Sequence, residues 1–226
     1  MGRPRAYNET AMLERAMEVF WRRGYDGTSI QDLVGRTGVN RGSLYGAYSD
    51  KRALFLASIK RYLDLIVADN IRRLGAVEPA GRAIREFFLQ LVEAPLERLR
   101  RGCLLTNSAV ELGMEDPAVA ALIRGAFRRV ERIICGRLVE AHMAGQLAAD
   151  LQPQARARLL ITVLQGIRVM ARVGVDRAAM RDAVNCALAG IAGDTSNRDF
   201  RHRTTARRPH QAQRAKARPA RLRSFA

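Results

Sequence analysis

Cysteine, histidine and lysine are scarce in this 226-residue chain, and each scarcity removes a class of chemistry. The three cysteines, Cys103, Cys135 and Cys186, are far apart, odd in number and form no CxxC pair. That argues against a disulfide framework and against a thiolate zinc site. Of the three histidines, His202 and His210 fall near the C-terminus, which leaves His142 alone in the body of the chain. No cluster of ligating side chains emerges, so neither a metal nor a cofactor is expected. Long apolar runs are missing as well. Nothing approaches the roughly 18 residues of a membrane span, and no basic start leads into an apolar leader. The expected location is therefore cytoplasmic, with no membrane partner. Acidic residues are outnumbered, 22 Asp+Glu against 39 Lys+Arg, for a net charge of +17. The excess is uneven: residues 194–226 alone carry 10 basic against 2 acidic side chains. Such a balance favours anionic partners, nucleic acid first. Hydrophobic residues make up 48%, an ordinary globular share that is ample for a core.

Apolar residues recur at helical spacing nearly everywhere, and strand alternation is absent, so the fold class is all-α. Met12, Leu13, Ala16, Val19 and Phe20 form one stripe over residues 9–23, closed by Gly24. Thr28 and Ser29 offer N-cap oxygens, and Asp32 follows Ser29 at capping-box spacing. A short helix then runs to Gly38. Asn40 caps a third helix through about Tyr48, and Ser49-Asp50 opens a longer fourth one to about Arg73. After a break at Gly75–Pro79, helices are expected over about 80–100, 103–113, 117–145, 153–173 and 176–191. Pro95 should kink or divide the first of these, whereas Pro117 and Pro153 suit first-turn positions. Beyond Gly193 the periodicity ends. Residues 194–226 hold too few large apolar side chains to offset ordering entropy and are expected to form a disordered basic tail. The expected organisation is a DNA-binding domain over 1–52, a ligand-binding and dimerisation domain over 53–193, and the tail.

Residues 28–48, TSIQDLVGRTGVNRGSLYGAY, carry the most information. Two short helices meet through Thr37-Gly38-Val39-Asn40. Gly38 allows the sharp turn, and Val39 fills the space between the helices. This is a helix-turn-helix pattern, whose second helix can enter a major groove. Leu44 points inward with Ile30, Leu33 and Val34, which leaves Arg41, Ser43, Tyr45 and Tyr48 outward. Arg41 can fork onto guanine or phosphate, and tyrosyl hydroxyls suit phosphate oxygens. Gly24-Tyr25, Thr28-Ser29-Ile30, Gly38-Val39, Gly42-Ser43-Leu44-Tyr45, Tyr48, Lys51 and Leu54-Phe55 together resemble the N-terminal domain of TetR/AcrR-type regulators, over roughly residues 7–60. The resemblance implies a DNA reader made of three helices and the start of a fourth, followed by a larger helical domain that binds an inducer and dimerises. By position, Thr28, Ser29, Tyr45, Tyr48 and Lys51 are implied DNA contacts, mainly to phosphate, and Arg41, Gly42 and Ser43 the groove-facing tip. Gly46-Ala47 departs from the larger pair common there, which leaves the operator sequence open. Gly2-Arg3-Pro4-Arg5 resembles the minor-groove core of an AT-hook, with Arg3 and Arg5 suited to a narrow A·T-rich groove.

Residues 101–112, RGCLLTNSAVEL, resemble a segment of the family branch that includes electrophile-responsive and acrylate-responsive regulators. Cys103 is accordingly either a reactive thiol, favoured by Arg100, Arg101 and a helix N-terminus, or a small buried hydrophobe. Lys51, Lys60 and Lys216 are the chain's lysines, so a Cys–Lys crosslink in the larger domain is not expected. Candidate pocket residues are Tyr62, Ile66, Phe87, Phe88, Leu91, Cys103, Leu104, Asn107, Phe127, Gln165 and Met170, mostly apolar with a few polar groups, as suits a small organic inducer. Arg168 or Arg172 is placed to meet an acidic ligand or to be solvated. The fourth helix links the reader at Lys51 to Tyr62 and Ile66, roughly 17–22 Å along at 1.5 Å per residue. Leu159, Leu160, Val163, Leu164, Ile167 and Met170, with Ala179, Ala183, Cys186, Ala187 and Ile191, offer apolar faces for a homodimer built as a four-helix bundle. The expected function is a non-enzymatic transcriptional regulator, a repressor by resemblance, that binds double-stranded palindromic operator DNA and is released by a small molecule. Two other readings compete. A non-specific nucleic-acid binder would explain the charge but not the capped helix-turn-helix. An all-α thiol enzyme using Cys103 lacks an evident catalytic partner.

Overall fold

The computed structural model of the chain describes residues 7–191. The expectations for Arg3, Arg5 and the basic tail concern positions outside the described residues. Helix α1, Glu9–Arg23, is capped by the Asn8 side chain, which accepts from the Ala11 N–H, and ends at Gly24 with φ +77°. Helix α2, Ile30–Thr37, starts on the capping box: Ser29 accepts from the Asp32 N–H, and Asp32 accepts from the Ser29 N–H. Gly38 ends it in the left-handed region, and Asn40 caps α3, Arg41–Ala47. Asp50 caps α4, Lys51–Tyr62, which continues through a π-helical turn, Leu63–Val67, into α5, Ala68–Ala76. The expected single fourth helix is thus one rod with a widened turn just after Tyr62.

Helices α6, Ala80–Glu93, and α7, Leu96–Arg101, are separated at Pro95, because the residue before a proline is pushed out of the helical region and Ala94 sits at ψ 153°. Then come α8, Leu104–Leu112; α9, Pro117–Met143; α10, Pro153–Arg172; and α11, Arg177–Ala187. The last helix stops four residues short of the expected end. Gly190, at φ +81°, turns the chain so that its carbonyl accepts from the Ala148 N–H, and Ile191 makes an isolated bridge with Leu147.

Two apolar cores form. One joins Met12, Phe20 and Trp21 of α1 to Leu33, Leu44, Phe55, Ile59 and Tyr62, and extends to Cys103, Leu104 and Ile123. Phe20 meets Phe55 edge-on at 5.0 Å, and Trp21 meets Tyr62 at 4.8 Å and 86°. Such pairs add about 0.5–1.5 kcal/mol beyond area burial, so α1 and α4 are fixed as a unit. The other core gathers Ile84, Phe88, Ile134, Leu138, Leu160, Leu164, Ile167 and Val184. This corrects the expected dimer face. Leu160, Leu164 and Ile167 of α10, with Ala187 and Ile191, are buried within the chain's own core. The large outward apolar side chains of α10 are Leu159 and Val169, followed just past its end by Val173, 75% exposed, and α11 adds Ala179, Ala183 and Cys186.

Candidate nucleic-acid interface and ligand cavity

The surface of α3 follows from its seven residues. Leu44 is buried and Val39 fills the turn before it, so Arg41 and Gly42 are exposed and Ser43, Tyr45 and Tyr48 half-buried. The Arg41 guanidinium lies over the Tyr45 ring at 5.4 Å, and the Lys51 ammonium over the Tyr25 ring at 4.3 Å. Among the described residues neither cation pairs with a carboxylate, and both stay near the surface. A Cβ at Gly42 would touch only the Asn40 side chain, at an ordinary 3.5 Å, and one at Gly46 would meet nothing. The two glycines stand four apart and so share a face of α3. That face is smooth backbone, open to close approach by a nucleic acid and flanked by Arg41 and Tyr45.

A cavity of about 1160 Å³ opens between α1, the α4–α5 rod, α6, α7 and α10. Its walls combine Trp21 and Glu18 of α1 with Tyr62, Ile66, Phe87, Leu91, Leu99 and Arg168. At its inner end the Tyr62 hydroxyl donates to Cys103 Sγ at 3.4 Å, and the Arg168 guanidinium lies against both groups. Burial drives the Tyr62 phenol well above its usual value. For Cys103 burial also opposes the charged form. The Arg168 charge, the Tyr62 hydroxyl and Thr106 outweigh it and hold the thiol below its ordinary value. A small void of about 30 Å³ beyond is lined by Cys103, Phe127, Gln165 and Arg168, among others. Such a void is of the order of one water.

Three contacts tie the cavity region to the N-terminal helices. The Glu111 carboxylate, on α8, accepts from the Tyr25 and Asp26 N–H groups at 2.9 and 2.8 Å. Arg52 makes a two-pronged bond to Asp116 at 2.6 and 2.9 Å. Those bonds and the α9 N-terminal amides hold the Asp116 carboxyl down at about 2. Arg101 pairs with Glu18 and stacks on Trp21 with its guanidinium 3.6 Å from the ring centroid. Helix α8 therefore runs from the cavity's inner end at Cys103 to the turn that closes α1.

Comparison with known proteins decides the class. Residues 12–58 match the family of bacterial regulatory proteins described as tetR family, and residues 81–187 match the tetracyclin repressor-like C-terminal domain. The chain belongs to the TetR family. It is 35% identical over 190 residues to the HTH-type transcriptional regulator YezE of Bacillus subtilis, covering 83% of this chain and 98% of that one. It is 27% identical over 175 residues to the HTH-type transcriptional repressor ComR of Escherichia coli, covering 76% of this chain and 83% of that protein. Among solved structures, a cysteine mutant of the TetR family regulator CifR with 26-base-pair double-strand operator DNA superposes with a TM-score of 0.70. Its identity is 30%, covering 84% of this chain and all of that one. The chain is thus a TetR-family transcriptional regulator, all-helical, and no helix of its described residues is long and apolar enough to cross a membrane.

Within that family frame the expected site residues divide. Ser29, Arg41, Gly42, Ser43, Tyr45, Tyr48 and Lys51 are gathered around α2 and α3 with some surface on each. Thr28 is 1% exposed, and its hydroxyl donates to the Gly24 carbonyl at 2.6 Å, so its side chain closes the turn instead of facing a phosphate. Tyr62, Ile66, Phe87 and Leu91 line the large cavity. Cys103, Phe127 and Gln165 line only the small void. Phe88 and Leu104 lie in the cores, because adjacent helical residues point about 100° apart and Phe87 takes the cavity side. Met170 packs on the second core, and Asn107 stands beside Gly102, close to the Arg168 backbone. The expected set lacked Trp21 and Glu18, whose place on α1 gave no sign that a reader helix would wall the cavity.

Proposed function

We propose that the protein is a repressor that binds an inverted-repeat operator as a homodimer and is released when a small molecule enters the 1160 Å³ cavity. The observation that carries this reading is that Trp21, on a helix of the DNA-reading domain, and Tyr62, on the α4 rod, are both walls of that cavity and pack on each other. A molecule seated there presses on α1 and α4 together. Helix α4 runs from that point back to Lys51 beside the reader. The outward stripe of Leu159, Val169 and Val173 with the small residues of α11 supports dimerisation, since an exposed apolar face of this kind favours burial against its two-fold copy. An electrophile acting on Cys103 is a special case of the same reading, supported by the Arg168 cation beside the thiol.

Trp21 is the sequence's one tryptophan, so intrinsic fluorescence reports on the cavity directly. Compounds are titrated against the protein bound to a labelled operator duplex, with fluorescence and duplex anisotropy followed together. Coincident curves are expected. Ligands that perturb Trp21 while the duplex stays bound would refute induction through this cavity. Release by an electrophile from the wild type but not from Cys103→Ser would identify the thiol as the trigger.

A further inference from the structure

The chemistry of the cavity's inner end defines what it accepts. Arg168 is half-buried, and its Nε is sealed from solvent without a hydrogen-bond partner. The groups it lies against are Tyr62 and Cys103, and no carboxylate of the described residues pairs with it. Two further donors nearby are also buried and unpartnered: the indole Nε1 of Trp21, which packs on Tyr62, and Nδ2 of Asn107, beside Gly102. Buried donors are nearly always satisfied, and a desolvated guanidinium without a counter-ion is costly unless a partner arrives. The lining as a whole has the same bias, with seven arginines against three glutamates. The wall beyond Arg168 is apolar, through Ile66, Phe87 and Leu91.

We propose that the cavity takes a small organic carboxylate, its charged group on Arg168 and the Tyr62 hydroxyl and its apolar body against Ile66, Phe87 and Leu91. The planar guanidinium fork matches a carboxylate in shape. The Arg168 cation balances the single negative charge of a carboxylate. The Tyr62 hydroxyl now donates to a sulfur at 3.4 Å, a weak acceptor that a carboxylate oxygen readily replaces. This inference rests on the inducer reading for its consequence and on Arg168 for its chemistry.

The test uses the full chain with hexanoate, octanoate, benzoate and phenylacetate, each beside its primary amide. Binding is read from Trp21 fluorescence and melting temperature, and release of an operator duplex is followed in parallel. At least one acid is expected to bind at least tenfold more tightly than its amide. Arg168→Met should weaken acid binding about 10- to 100-fold, the loss of one charge-assisted contact. It should also leave the ligand-free melting temperature unchanged or higher, because an unpaired buried charge has been removed. Equal binding of acids and amides, failure of every acid to bind, acid binding unaffected by Arg168→Met, or a lowered ligand-free melting temperature in that variant would each overturn the proposal. Acids that bind with the duplex retained would refute induction while leaving the carboxylate site standing. A neutral compound that empties the duplex through this cavity would do the reverse.

Discussion

Glu111 ties α8 to the turn that closes α1, and its removal has a calculable cost. Its carboxylate accepts two backbone N–H groups, from part-buried Tyr25 and exposed Asp26. A hydrogen bond to a charged group contributes about 1.5–3 kcal/mol when shielded, and the exposed one deserves a value nearer the low end. Glu111→Ala should therefore destabilise the fold by about 3–4.5 kcal/mol, or roughly 6–18 °C in melting temperature for a chain of this length. Glu111→Gln keeps one acceptor oxygen and loses the charge, so about half that cost is expected. Urea unfolding gives the stability. Hydrogen exchange gives the local effect, with the Tyr25 and Asp26 amides losing protection well before the α1 interior. Operator affinity should fall several-fold, because a loosened α1 end must be re-ordered for both readers to meet DNA. Unchanged stability and unchanged protection at those two amides in Glu111→Ala would show that the contact is solvated and carries nothing.

Asp116→Asn retains the α9 cap but loses the charged bond to Arg52. The Asp116 pKa is depressed from 3.8 to about 2, so the stability it confers is present above about pH 4 and lost as pH falls toward 2. The difference between wild type and variant should shrink across that window, and a pH-independent difference would contradict the pairing. Tyr45→Phe and Lys51→Ala should weaken binding to operator and scrambled duplexes alike, since phosphates carry no base identity, whereas Arg41→Ala should also change sequence preference; competition binding separates the two outcomes. Deleting residues 194–226 removes ten basic side chains, so non-specific affinity should fall and its salt dependence flatten while operator selectivity survives, as salt titrations of binding would show. Phe55→Ala empties a fully buried site against Phe20 and Tyr25 and should cost about 3–5 kcal/mol in urea unfolding.

Features set by neighbours in sequence were legible without coordinates. Ser29 with Asp32, the Asn40 and Asp50 caps, the Gly38 turn and the break at Pro95 all depend on residues within four positions of each other. The reader was legible for a related reason, because a helix-turn-helix needs fixed spacings over a short stretch. Features that depend on which apolar stripe meets which were not legible. Periodicity marks Leu159, Leu160, Val163 and Leu164 as apolar alike. Only packing against α9 sends Leu160 and Leu164 inward and leaves Leu159 out. Phe87 and Phe88 are indistinguishable in sequence, and one lines the cavity while the other fills a core. Trp21 reaches Tyr62 across 41 residues, a pairing that no local signal announces. Thr28 carries the right residue type for a phosphate contact, yet the turn after α1 uses its hydroxyl first.

On the proposed reading α3 contacts DNA in a two-fold dimer. Selection of bound duplexes from a random pool tests it most directly, with wild type and Arg41→Ala compared side by side. An enriched inverted repeat is expected for the wild type and an altered or degraded half-site for the variant. Recovery of no motif, or of a motif without two-fold symmetry that Arg41→Ala leaves unchanged, would contradict it.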